Sequence, residues 1–112
     1  MDWINIISNN ESVISNIAII DDSLIVRIRL WNGNERILKF DNYSAFKEKK
    51  SIDEEIGDII LQKQSELLEE LKKDNEDYIE EMKNMRSFVF MNAWNDRVIL
   101  EVIAESINID EK

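Results

Sequence analysis

Hydrophobic positions along this chain follow two periods, one of two residues and one of three to four. From Leu24 to Trp31 branched residues dominate and alternate strictly from Val26 on, which predicts a strand with Leu24, Val26, Ile28 and Leu30 on one face. A second strand follows Asn32-Gly33-Asn34 as Glu35-Arg36-Ile37-Leu38-Lys39-Phe40. Asn-Gly ordinarily marks a two-residue hairpin loop, but that register sets Val26 opposite Lys39. A three-residue loop over Asn32, Gly33 and Asn34 pairs Ile28 with Leu38 and Val26 with Phe40, and it places Asn34 in the left-handed region. A further hairpin runs from Ser87 to Trp94, turns at Asn95-Asp96 and returns from Arg97 to Ala104. With Trp94 opposite Arg97, the pairs Ala93–Val98, Met91–Leu100 and Val89–Val102 share an apolar face. The reverse face carries Phe88, Phe90, Trp94, Ile99 and Ile103, so this hairpin is apolar on both sides.

Between the hairpins the period lengthens. Ser51-Ile52-Asp53-Glu54 has the form of a capping box, and Ile52, Ile56, Ile59, Ile60, Leu67 and Leu71 recur at helical spacing. Glu55, Asp58, Glu66, Glu69, Glu70 and Lys73 fall on the polar side of that stripe. An unbroken helix from Ile52 to Met85 would be roughly 50 Å long at 1.5 Å per residue, too long for a domain of this size. The reading therefore breaks it at Asp74-Asn75 and starts a second helix, capped by Asn75, with Tyr78, Ile79, Met82 and Met85 inward. Gly57 lies inside the first helix, where a missing side chain permits close helix–sheet approach.

Toward the N-terminus, Ser15 to Ile20 feeds a strand ending at Asp21-Asp22, while Asn10 to Ile14 reads equally as a short helix or an extended approach. The expected architecture is a single α+β domain over residues 1–112: an antiparallel sheet of about five strands with one long acidic helix and a second shorter helix on one face.

Charge sharpens this picture. Of a formal net charge of −10, the segment Ser51 to Met85 holds twelve acidic side chains against four lysines. Such an excess repels itself unless a cationic partner compensates, and it disfavours direct contact with nucleic acid or anionic membranes. Histidine and cysteine do not occur, which removes the commonest general base, the commonest thiol nucleophile and the usual zinc ligands. The reading is of a non-enzymatic protein with no catalytic residue, cofactor or metal. Clusters such as Asp53, Glu54, Glu55 and Asp58, or Glu76, Asp77, Glu80 and Glu81, lack the alternating ligands and glycine turn of a calcium loop. The two glycines, Gly33 and Gly57, form no phosphate cradle. The first residues, Met1-Asp2-Trp3-Ile4-Asn5-Ile6-Ile7, lack the basic start of an export signal, and no apolar run approaches the ~20 residues of a membrane span, so a cytoplasmic location is expected.

Trp31 and Trp94 each flank an asparagine at a hairpin turn. Large aromatics complete cores more often than they anchor interfaces, and core is the favoured reading for both, with a binding anchor as the alternative.

The run Leu24 to Gly33, then Ile37 to Tyr43 and an acidic stretch, resembles the front half of small immunity proteins of bacterial toxin/immunity pairs. Met82 to Phe90, followed by Asn95-Asp96 and Val98 to Ala104, is similar to their closing hairpin, although Met85-Arg86-Ser87-Phe88 stands where a His-Tyr-like pair is expected. The resemblance implies a cytosolic antitoxin that occludes the active surface of a cognate protein toxin, and many such toxins are nucleases with basic clefts. Charge and resemblance together place the contact on Glu55, Asp58, Glu66, Glu69 and Glu70, with aromatic anchors from Trp31 or Trp94. The alternative is an acidic nucleic-acid mimic that blocks a basic DNA- or RNA-binding protein with the same helix. A third reading, from another class, is a carboxylate-dependent metal enzyme or metal-sensing domain, and a homodimer through the two-sided hairpin is compatible with every reading.

Overall fold

Eight strands form two four-stranded antiparallel sheets in a computed structural model that describes residues 2–8, 11–74, 76–78, 83–95 and 97–111. One sheet has the order β1-β2-β3-β8, from Val13–Ile20, Ser23–Arg29, Glu35–Asp41 and Asn108–Glu111. The other has the order β4-β7-β6-β5, from Ala45–Glu48, Val98–Ala104, Arg86–Asn92 and Ile56–Gln62. Helix α1 spans Asp2–Ser8, helix α2 spans Glu66–Asp74, and a 3-10 turn covers Glu76–Tyr78.

The sheets pack face to face. Phe40 of β3 is fully buried and meets the rings of Phe88 and Phe90 of β6 edge-on, at centroid distances of 5.2 and 6.5 Å. Leu24, Val26, Ile28 and Leu38 fill the same core with Ile56, Ile59, Leu100, Val102 and Ala104. Alternation places most of them there, since residues i and i+2 share a face, and the bulge between Ile56 and Asp58 brings Ile59 to the same side as Ile56. The sheets are also joined along one seam, where the Ile56 amide donates to the Ser12 carbonyl and the Asp53 amide to that of Ile14, both at 2.8 Å. Helix α1 packs against β5 and buries Ile7, whose carbonyl accepts from the buried Ser12 hydroxyl at 2.8 Å.

This architecture corrects the expected five-stranded sheet under a long acidic helix. Ile56 to Gln62 is strand β5, paired with β6, and among the described residues only Glu66–Asp74 of the acidic segment is α-helical. The expected capping box fails because Glu48 captures Ser51. Its carboxylate accepts the Ser51 amide at 2.6 Å and the Ser51 hydroxyl at 2.7 Å, Glu54 bonds back to the Ser51 carbonyl, and Asp53 takes a φ of 65°. A left-handed residue there ends any helix. The true cap is Ser65, whose hydroxyl accepts the Leu68 amide at 3.1 Å, and Leu68 rather than Leu67 or Leu71 is the buried residue of α2. Gly57 sits at a bulge in β5, where an added Cβ would lie 2.5 Å from the Ala93 Cα, so its close approach is strand to turn. Of the expected second helix, Asn75, Ile79 and Met82 lie outside the described residues.

Both hairpins keep their strands but change register. In the first, Val26 pairs with Leu38 and Leu24 with Phe40. The loop has the expected three residues, but they are Trp31, Asn32 and Gly33, closed by the Leu30 amide donating to the Asn34 carbonyl at 2.8 Å. Gly33, with φ of 88°, supplies the left-handed position assigned to Asn34. In the second, Phe88 pairs with Val102 and Phe90 with Leu100, a one-residue slip that turns the phenylalanines into the core. The hairpin is central in its sheet, and Val89 and Ile103 on its other face are also buried. It offers no exposed two-sided surface for a dimer.

Candidate partner-binding surface

Two turns at one end of the sandwich expose the aromatic residues Trp31 and Trp94, at 68% and 82% of their surface. The core reading of both tryptophans is thereby overturned. Local chemistry explains the exposure, because each side chain rides on a turn built by a neighbouring asparagine. At the β2–β3 turn the Asn32 carboxamide oxygen accepts the Asn34 amide at 3.0 Å, and the Gly33 amide donates to the Leu30 carbonyl at 2.9 Å. At the β6–β7 turn the Asn92 carboxamide oxygen accepts the Trp94 amide at 2.8 Å and the Asn95 amide at 3.3 Å. That turn is longer than the expected Asn95-Asp96 pair, since Asn92 closes it by donating to the Arg97 carbonyl at 2.7 Å. Asp96 lies outside the described residues.

Glu54 fixes the β6–β7 turn from the side. Its carboxylate accepts the amide nitrogen of Asn92 at 2.6 Å and lies 3.5 Å from the Arg97 guanidinium, which also donates to the Lys49 carbonyl at 3.1 Å. Asn92 is buried, so the Glu54 bond satisfies a donor that water does not reach. Sequence reasoning passed over Glu54. The signal was its place beside the Ser51 turn, read there as a helix cap.

Glu55 connects the two turns. Its carbonyl accepts the Ala93 amide at 3.0 Å, next to Trp94, and the residue lines a cleft of about 300 Å³ with Glu11, Arg29 and Trp31. Three of the expected contact residues, Trp31, Trp94 and Glu55, therefore come together at this end. The others do not. Asp58 is exposed on β5, where its carboxylate accepts the Ile59 amide. Glu66, Glu69 and Glu70 lie on α2 beyond the far end of that strand and line an open cleft of about 490 Å³ with Gln64, Ser65 and Lys73. Strand β5 runs from Ile56 beside Asn92 to Gln62 beside Ser87, so the two groups stand roughly 20 Å apart at strand rise. At physiological ionic strength, where screening acts over about 8 Å, they behave as separate fields.

Two carboxylates are held below the usual carboxylate range. For Glu48 the cause is first the Ser51 amide and then the Ser51 hydroxyl. For Asp41 it is the Ser23 hydroxyl, opposed by desolvation and helped by the Lys39 charge and the Asn108 amide. Both shifts favour the ionised form, the reverse of what a proton-donating carboxyl needs. Among the described residues no three His, Cys, Asp or Glu side chains gather in a metal-binding arrangement. No described helix is long and apolar enough to cross a membrane. Comparison with protein-family models, with curated proteins and with solved structures finds no match.

Proposed function

We propose that this chain is a non-enzymatic immunity protein that neutralises a cognate, basic protein toxin by covering its active surface. The observation that carries this reading is the pair of exposed tryptophans on adjoining turns, set beside Glu11, Glu54 and Glu55. Exposed aromatic side chains on rigid turns are the usual anchors of tight protein interfaces, because they bury much area while losing little conformational freedom. Asn32 and Asn92 pin these two turns through side-chain-to-backbone hydrogen bonds.

Charge has a separate task. The acids of α2, Asp74 included, with Glu76 and Asp77 close behind, draw a cationic partner from a distance and so raise its association rate. Anchoring at the tryptophan end then governs how long the complex lasts. A nucleic-acid mimic would rely on a long acidic helix, and α2 has nine residues, so no specific observation favours that alternative. Mixing the chain with the toxin domain encoded beside it tests the proposal. Size-exclusion chromatography at micromolar concentration should show a single complex, with toxin activity lost in the same fractions. Separate elution of the two proteins refutes it.

A further inference from the structure

Strand β1 ends its sheet on the outer side and carries no charged residue over its eight positions, Val13 to Ile20. Exposed strand edges are ordinarily protected by charge, shortness or cover. The other three terminal strands follow that rule: β4 and β8 have four residues each and carry charges, while β5 has Asp58, a bulge and the packed helix α1. In β1 only the upper part is covered, by the bridges from Val13 to Glu55 and from Ile14 to Ile52. Below the bulge at Ile14/Asn16 no strand among the described residues pairs with this edge, and Ile19 and Ile20 are 55% and 57% exposed.

We propose that this edge pairs with the same edge of a second copy of the chain, antiparallel about a two-fold axis through Ala18. The backbone register is suited to it. The Asp21-Asp22 turn closes on the pair Ile20–Ser23, so Ile20, Ala18 and Asn16 bond toward β2 while Ile17 and Ile19 present their N–H and C=O groups outward. Centred on Ala18, Ile17 of one copy opposes Ile19 of the other, and each pair exchanges two backbone hydrogen bonds. Side chains agree with that register, since Ile17 and Ile19 lie on the same face, opposite Val26 and Leu24, and the contact covers the exposed Ile19. On the reverse face Ala18 meets Ala18 and Asn16 meets Ile20.

Charge selects the orientation. In the antiparallel arrangement Asp21 opposes Ser15, so the two acidic turns stand roughly 20 Å apart, well beyond the screening length. A parallel arrangement would set four aspartates side by side. The contact spans about five residues per copy and is therefore small, which makes the dimer weak and dependent on concentration. Its salt dependence is opposite to that of a complex with a cationic partner. Each copy carries −10, so salt screens the repulsion between copies and strengthens the dimer.

Sedimentation of the full chain from about 10 µM to about 1 mM, at low and high salt, tests the proposal together with amide exchange of Ile17 and Ile19. The expected result is an apparent mass rising toward twofold at high concentration and high salt, with association at least tenfold weaker at low salt. Exchange at both amides should slow at least tenfold over the same series. Ile19→Lys, confirmed as folded by circular dichroism, should stay monomeric throughout. A monomer at 1 mM in high salt overturns the proposal. So does a dimer in which these amides exchange at an unchanged rate, or protection that arises only when another protein is added.

Discussion

Glu54→Ala isolates the part of the structure that holds Trp94 in place. The substitution removes a 2.6 Å charge-assisted bond to Asn92 and a 3.5 Å ion pair with Arg97. Both ion-pair partners are more than a third exposed, so that contact contributes at most a few tenths of a kcal/mol after screening. The bond to Asn92 matters more, because Asn92 is 4% exposed and loses the partner of its amide nitrogen. Leaving a buried donor unsatisfied costs ~1–3 kcal/mol, so the expected destabilisation is about 2 kcal/mol. In thermal unfolding this corresponds to a fall of roughly 8 °C for a chain of this size. Glu54→Gln keeps an acceptor and should lose less than about 1 kcal/mol, and Arg97→Ala about 0.5 kcal/mol. Urea unfolding gives the energies, while amide exchange at Trp94 and Asn95 gives the local effect, since both amides donate to the Asn92 side chain. Glu54→Ala within 0.5 kcal/mol of the parent, with unchanged exchange at those amides, would refute the reasoning.

Gly57→Ala should destabilise by ~1–3 kcal/mol in urea, because its Cβ meets the Ala93 backbone rather than a side chain that can move aside. Phe40→Ala, which removes the ring between Phe88 and Phe90, should cost ~3–5 kcal/mol by the same assay. Trp94→Ala should change stability by less than about 0.5 kcal/mol, since the side chain is 82% exposed. Acid sensitivity follows from the depressed carboxyls. The contribution of Asp41 and Glu48 is fully present above their ordinary values and is lost as pH falls through the lower folded values. Ser23→Ala and Ser51→Ala should move the respective carboxyl titrations upward in carbon NMR and flatten the acid limb of stability.

The strands of strict alternation, β2 and β3, were legible because a half-buried sheet imposes period two on the sequence. Turn chemistry was legible in kind and misplaced by one residue, since Gly33 takes the left-handed position at less cost than Asn34. The slip in the second hairpin had a larger effect, because one residue exchanges the faces and Phe88 and Phe90 point inward instead of Met91 and Ala93. Strand β5 was hidden. Ile56, Ile59 and Ile60 satisfy helical spacing, and a short apolar run cannot be assigned by period alone. The four-residue strands β4 and β8 are too short to carry a period. At the candidate surface the tryptophans were visible as turn residues, but their exposure depends on asparagine side-chain bonds that only the fold reveals. The acidic residues looked like one field because they were read on one helix, and the strand between Glu55 and Glu66 separates them.

Binding kinetics with the proposed cognate toxin domain test the central claim most directly, using Trp94→Ala and a Glu66→Gln, Glu69→Gln, Glu70→Gln variant beside the parent. The account predicts that Trp94→Ala raises the dissociation rate at least tenfold with an unchanged association rate. The triple variant should lower the association rate and its salt dependence while leaving dissociation unchanged. Binding of both variants at the parent's rates would contradict it.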